Sequence, residues 1–500
     1  MNQMSQVRPD DTLDQITEPL DVLIVGAGIS GIAAARYMRV DRPDDSFIIL
    51  DDQESFGGTW HTHRYPGIRS DSDLHTFGYG FKPWVGPPIA TADEILKYLG
   101  ETIDENGLGE LIHYGWRIET AAWESDRKLW VVTARHSASG RARQVTARFM
   151  WMCQGYYRHS RGYTPEWPGM EDFKGQIVHP QHWPEDLDLT DRRVVVIGSG
   201  ATAATVVPAI ADQAAQVTML QRSPTYFASE RNEIELASHL RRLQVDETWI
   251  HEIVRREILT QGREFAQRCF SEPNVVRKEL MDNARRYLGE DYDVDTHFNP
   301  SYDPWRQRLA RIPNGDLYKA IASGKAGVAT DEIERFTETG IQLKSGQTLD
   351  ADVIVTATGF DLCAFGDIGF SIDGAPLDFH QTVGYRGMMF TGVPNLVWVM
   401  GYFRSSWTLR AEIIAKFVTR LLTHMHDTQA GRVEPRLRDS AMPVHSWVEE
   451  DDFNPGYLLR GQHLLPKRGT TNEWKLSQDY WTEKDEFAAI DLADPVFAYG

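Results

Sequence analysis

Residues 20–31 read LDVLIVGAGISG, and the fold turns on them. Asp21-Val22-Leu23-Ile24-Val25 is an apolar run of strand length. Gly26, Gly28 and Gly31 follow at the GxGxxG spacing, an alanine-rich helix comes next, and Phe47-Ile48-Ile49-Leu50 is a second strand ending at Asp51. Together they make a βαβ unit of the kind that holds a dinucleotide. Gly26 permits the tight turn, Gly28 lets the backbone approach a pyrophosphate, and Gly31 allows close helix packing. The helix N-terminus around Ser30 presents free amides to the anion. Asp51 stands 20 residues past Gly31, where a carboxylate accepts ribose hydroxyls.

Further along, Arg193-Val194-Val195-Val196-Ile197 opens a second unit. Gly198, Ser199, Gly200, Ala201, Thr202 and Ala203 form its turn and the start of a helix, and Gln216-Val217-Thr218-Met219-Leu220 is its second strand. That strand ends in Gln221-Arg222-Ser223, with no acid. An arginine beside a hydroxyl suits a ribose 2′-phosphate, so Arg222 and Ser223 predict NADPH here. Two nucleotide units in one chain, the first ahead of any other domain, point to FAD at the first. The expected fold class is α/β, with two Rossmann-like dinucleotide-binding domains, for FAD and NADPH, and a helical insertion in the NADPH domain. Phe149-Met150-Trp151-Met152-Cys153-Gln154-Gly155 reads as the way out of the FAD domain, and Asp352-Val353-Ile354-Val355 with Thr356-Ala357-Thr358-Gly359-Phe360 as the way back. The expected boundaries are a loose tail over 1–18, a discontinuous FAD domain over 19–155 and 346–500, and an NADPH domain over 156–345. Within the last, about 229–292 is charged and helical in pattern, with Ile234, Leu236, Leu240 and Leu243 followed by Ile250, Ile253, Val254 and Ile258. This stripe reads as core rather than substrate wall.

A chain of 500 residues exceeds what one hydrophobic core serves. With 72 acidic against 52 basic residues, its net charge of -20 opposes binding to nucleic acid or anionic lipid. Cys153, Cys269 and Cys363 are far apart and form no CxxC, so neither a disulfide framework nor a thiol redox pair is expected. The N-terminus is polar and acidic, and no apolar run approaches membrane-spanning length, so the expected place of work is the cytoplasm, without stable membrane association. The acidic run at 449–452 reads as a solvated face.

Two further patterns narrow the function. Phe173, Gly175, His179, Trp183 and Pro184 stand at the spacing FxGxxxHxxxWP. Gly57, Gly58, Trp60, Tyr65, Pro66, Gly67 and Asp71 fit [A/G]GxWxxxx[F/Y]P[G/M]xxxD. Both resemble the signatures of type I Baeyer-Villiger monooxygenases, class B flavoprotein monooxygenases that insert one oxygen atom of O2 beside a carbonyl or onto a soft heteroatom. The resemblance implies FAD and NADPH as cofactors, with O2 and a small ketone or sulfide as partners. It also implies conversion of ketones to esters or lactones through a C4a-peroxyflavin.

Residue roles follow from the same resemblance. Gly58, Thr59 and Trp60 belong to the flavin side, and Thr358 and Gly359 to an ATG-like segment joining the nucleotide domains. Asp71 sits near the flavin and orients an active-site arginine, with Asp73 as a rival and with Ser70 where several relatives carry Cys. The arginine is Arg308 of YDPWRQRL, with Arg306 and Arg311 as competitors. His179 couples movement of the nicotinamide domain to catalysis. His179 and His182 lack a Cys or carboxylate partner at ligand spacing, so no metal is expected. RYPGIRSDSD, HPQHWPEDLD and TMLQRSPTY place the chain near a shorter-chain group of the family that oxidises ketones and also sulfides or thioamides. Trp407, with Ser405 and Ser406, is a pocket candidate, and the resemblance thins after about residue 430. Three rivals remain: a flavin monooxygenase limited to N- or S-oxygenation, a pyridine-nucleotide reductase, and a flavin-binding regulator without turnover.

Overall fold

The computed structural model describes residues 12–307, 309–448 and 455–500. Residues 1–11 of the expected tail, Arg308 and the acidic run at 449–452 lie outside the described residues.

The βαβ unit read from residues 20–51 is the heart of the larger sheet. Leu20–Val25 pairs in parallel with Phe47–Leu50 on one side and with Ala142–Met152 on the other, in the register Val22 to Phe47 and Val22 to Phe149. Residues 22–25, Phe47–Leu50 and the last four residues of Ala142–Met152 are continuously apolar and buried because helices or other strands cover both faces. Beyond Ala142–Met152 the sheet turns antiparallel through Leu129–His136 and Trp116–Glu124, a meander the sequence reading did not anticipate. The late strand Leu396–Trp398 returns to pair with Met150–Met152. Helix Ile29–Asp41 is sandwiched between this sheet and helix Trp407–Asp427, which contributes Ile413, Ile414, Phe417 and Val418 to the same core.

The second sheet is parallel throughout, in the order Ala326–Thr330, Gln216–Gln221, Arg193–Ile197, Val353–Thr356 and Gln176–Val178. Val353–Thr356 pairs on both sides, so the second unit carries this strand and runs past the expected limit at 345. Two crossovers join the units, Tyr157–Gly162 going out and Phe360–Leu362 coming back, and they pair antiparallel with each other.

The insertion folds as helices Glu235–Arg242, Glu247–Ser271, Pro273–Leu288 and Val294–Phe298. Asp246 caps the longest by accepting the Thr248 N–H at 2.9 Å, and Pro273 opens the next where a missing amide costs nothing. The apolar stripe divides in three. Ile250 and Val254 are buried with Ala237, and Leu236 and Leu240 pack against them; Ile234 and Ile258 reach a cavity wall; Leu243 and Ile253 are exposed. The tail expectation also needs correction. Thr12–Gln15 is a 3-10 turn whose Leu13 is buried under the larger sheet, and Asp14 is bonded to Arg141 and Arg143, so the chain is anchored from residue 12. Among the described residues no helix is long and apolar enough to cross a membrane.

Candidate active site

A cavity of about 1390 Å³ is lined by both nucleotide units. Its wall takes in Gly26, Gly28, Ser30, Asp51, Gly58, Thr59, Trp60 and Asp71 from the first unit, Gly200 and Thr202 from the second, and Gly359 from the returning crossover. Gly31, Gly198, Ser199, Ala203, Arg222, Ser223 and Thr358 lie off that wall, and several of them support it. A Cβ on Gly31 would come within 1.8 Å of the Gly26 carbonyl oxygen, so only glycine lets the helix seat on the turn. Ser199 Oγ donates to the Ser223 carbonyl at 3.2 Å and shares a 2.8 Å hydrogen bond with Thr225 Oγ1, tying the second turn to the strand end that carries Arg222. Thr358 Oγ1 donates to the Tyr163 carbonyl at 2.6 Å, fastening one crossover to the other.

The first turn fits a dinucleotide. Helix Ile29–Asp41 begins at Gly28 without a side-chain cap, leaving its first amides free for an anion. Across from it, a Cβ on Gly58 would lie 3.3 Å from Gly28 Cα, so two bare backbone segments face each other where a pyrophosphate can pass. Asp51 ends the second strand with its carboxylate buried. Oδ2 accepts the Ala27 N–H at 2.5 Å and Oδ1 the Gln53 N–H at 2.8 Å. Burial pushes this carboxyl up to about 6, against the pull of those two amides. The second turn is built alike, with helix Ala201–Ile210 starting uncapped at Gly200.

Asp71 is half-buried on the wall, two residues before Asp73. Asp73 is also on the wall but is occupied as the cap of helix Leu74–Phe77, accepting the His75 N–H at 2.7 Å. Burial raises Asp73 to about 6, with Arg311 opposing. Arg306 lies over the Phe270 ring at 5.6 Å. Trp407 is on the wall, and its Nε1–H donates to Ser30 Oγ at 2.8 Å, which joins the pocket candidate to the first turn.

His179 is off the cavity wall. Its Nδ1 accepts the Gln181 N–H at 3.1 Å and its Nε2–H faces the Gly359 carbonyl at 3.2 Å, while burial lowers its pKa. The ring fills the space beside Gly162, where a Cβ would lie 1.9 Å from it. Gln181 completes the clasp, donating to the Arg158 and His159 carbonyls at 2.7 Å each. The fingerprint segment is thus bonded to both crossovers.

Sequence reasoning missed an aromatic part of the wall. Tyr156 stacks on Trp407 at 5.2 Å, its hydroxyl meets that of Tyr157 at 2.8 Å, and Tyr157 packs on Phe360 at 4.4 Å. The available signal was position, since Tyr156 and Tyr157 follow Gly155 and Phe360 follows Gly359. His63 was missed as well. It lies edge-on to Phe360 at 5.3 Å, and burial lowers its pKa to about 4.

The chain matches the family model described as flavin-binding monooxygenase-like over residues 87–261, and the NAD(P)-binding Rossmann-like domain over 24–87. It is 45% identical over 468 residues to the FAD-containing monooxygenase EthA of Mycobacterium tuberculosis, covering 93% of this chain and 94% of EthA. The putative FAD-containing monooxygenase MymA of the same organism is 43% identical over 487 residues, covering 96% of this chain and 97% of MymA. Among solved structures, an oxidized steroid monooxygenase bound to NADP shares the fold with a TM-score of 0.77 at 22% identity, over 96% of this chain and 99% of that one. An ε-caprolactone-bound cyclohexanone monooxygenase does so with a TM-score of 0.71 at 20% identity, over 96% of this chain and 100% of that one. Identity of this degree over nearly the whole of both chains makes the protein a member of the FAD-containing monooxygenases.

Proposed function

We propose that this monooxygenase catalyses Baeyer-Villiger oxidation, in which a ketone, NADPH, a proton and O2 give an ester or lactone, NADP+ and water. Sulfides and thioamides are proposed as further substrates of the same site. The reading is carried by one observation: the two signature segments meet the same assembly, Asp71 on the cavity wall and His179 in the clasp that closes both crossovers. Bound FAD, reduced by NADPH, supplies the redox chemistry by which one atom of O2 goes to the substrate and the other to water.

The chain's own residues bind, orient and exclude water. Uncapped amides at Gly28 and Gly200 hold the two pyrophosphates, and Asp51 takes sugar hydroxyls of the flavin nucleotide. In sequence Arg308 stands between Trp305 and Leu309, both wall residues. In this reading its guanidinium stabilises the negative charge that develops on the substrate oxygen, and the Asp71 carboxylate holds its fork in place. His179 keeps the crossovers in register while the nicotinamide unit moves between hydride delivery and shielding of the site.

The test is Arg308→Ala. Flavin reduction by NADPH is expected to stay within about twofold of wild type, while ester formation from a small ketone falls by about a hundredfold or more, the usual loss on removing an oxyanion donor. Full ester yield from the variant would contradict the assignment.

A further inference from the structure

Helix Glu247–Ser271 does more than fill the insertion. Its second half, through Ile258, Phe265, Ala266 and Phe270, is part of the cavity wall. The helix is held against the first unit at both ends of that stretch. At the far end Arg404, from the segment leading into helix Trp407–Asp427, lies over the Phe270 ring at 5.3 Å. At the near end stands Arg255, which is buried and off the cavity wall. Its Nη1 donates to the carbonyls of His75, Thr76 and Gly78 at 2.8, 3.2 and 2.9 Å. Its Nη2 meets Glu412 Oε2 at 3.3 Å. Glu412, on helix Trp407–Asp427, is buried too and also accepts the Gly80 N–H at 3.0 Å. Arg255 therefore joins three pieces, the insertion helix, the turn that follows Asp71 and Asp73, and the long helix of the first unit. A planar fork with five donors can satisfy three carbonyls and a carboxylate at once, whereas lysine cannot.

We propose that Arg255 is a positioning residue of oxygenation, locking the cavity-lining half of helix Glu247–Ser271 over the site so that oxygen reaches the substrate instead of escaping as hydrogen peroxide. The inference rests on the reading of this cavity as the oxygenation site. When the lock fails, NADPH, O2 and a proton give NADP+ and H2O2, and the substrate is left unchanged. Arg255 does not itself line the cavity and acts through the helix it holds and the wall residue Thr76 that it anchors.

The experiment compares wild-type holoenzyme with Arg255→Lys, Arg255→Met and Glu412→Gln, and uses Glu434→Gln as a structural control. Glu434 is equally buried, between Arg432 and Arg436, away from the cavity. Two quantities are read: the H2O2 released per NADPH consumed with a small ketone present at saturation, and the exchange rate of amides 256–271 in the flavin-free protein. Arg255→Lys is expected to raise the peroxide share roughly fivefold while flavin reduction stays within about twofold, and to speed amide exchange about tenfold. Glu434→Gln is expected to lower Tm with no change in peroxide share. Should Arg255→Met fail to fold, Arg255→Lys and Glu412→Gln carry the test. A wild-type peroxide share with unchanged exchange in Arg255→Lys, or an equal rise in Glu434→Gln, overturns the proposal. Amide exchange in the flavin-free protein needs no substrate, so absence of ester from wild type with exchange still faster in Arg255→Lys speaks against the Baeyer-Villiger reading alone.

Discussion

Asp51 shows how much one buried carboxylate can report. Its two oxygens are held by the Ala27 and Gln53 amides, yet burial keeps its pKa at about 6, well above an ordinary aspartate. Sugar hydroxyls donate better to the ionised form, so FAD favours that form and its affinity falls as Asp51 takes a proton. The dissociation constant of FAD from the apoprotein is expected to rise several-fold as pH falls from about 7 to about 5, and Asp51→Asn to flatten that dependence. Titration of apoprotein with FAD by flavin fluorescence checks it, and an unchanged pH dependence in the variant would count against the placement. Asp51 was legible because the strand-turn-helix-strand spacing fixes where the second strand ends. The packing of His179 was not legible, since Gly162 and Gly359, which hold its ring, are brought together only by the pairing of the crossovers.

The insertion helix Glu247–Ser271 carries the next prediction. His251 lies one turn before Arg255, buried, with the Tyr79 backbone as the polar group facing its ring. Around it stand His75, itself buried, and Arg255 and Glu252 from its own helix, with Arg241 and Glu247 acting on His75. Burial, with help from Arg255, lowers the His251 pKa to about 4. A folded pKa below the unfolded one means that the unfolded chain takes up the proton first as pH falls through about 6.5. The stability contributed by neutral His251 is therefore present above that pH and is lost between about 6.5 and 4. His251→Leu is expected to shrink the drop in unfolding free energy between pH 7 and 4.5 by about 2 kcal/mol, read from urea curves of the apoprotein. An undiminished drop would show that His251 titrates normally. Here the sequence was half legible. The apolar stripe marked Ile250 and Val254 correctly, but His251 and Arg255, one position round the helix, are as buried as they are. Helical periodicity shows which residues are apolar, and it cannot show that a polar pair will find Glu412 and three carbonyls more than 150 residues away in sequence.

At the scale of the whole molecule, two nucleotide units share one cavity, and the chain reaches it from many places. Four strands of the two βαβ units were legible to within a residue, because buried parallel strands are continuous apolar runs next to glycine turns. The antiparallel meander Trp116–Met152 and the late wall segment around Tyr457, Gln478 and Trp481 were not, because neither carries a motif and both are placed by tertiary pairing alone. The proposed Baeyer-Villiger function belongs to this scale, with the shared cavity moving one oxygen atom from O2 into a ketone. The most direct measurement incubates the purified holoenzyme with NADPH, a small cyclic ketone and 18O2, and analyses the products by mass spectrometry. A lactone carrying one 18O atom, formed with consumption of NADPH, is expected. NADPH oxidation yielding only labelled hydrogen peroxide, with the ketone recovered unchanged, would contradict the proposed function.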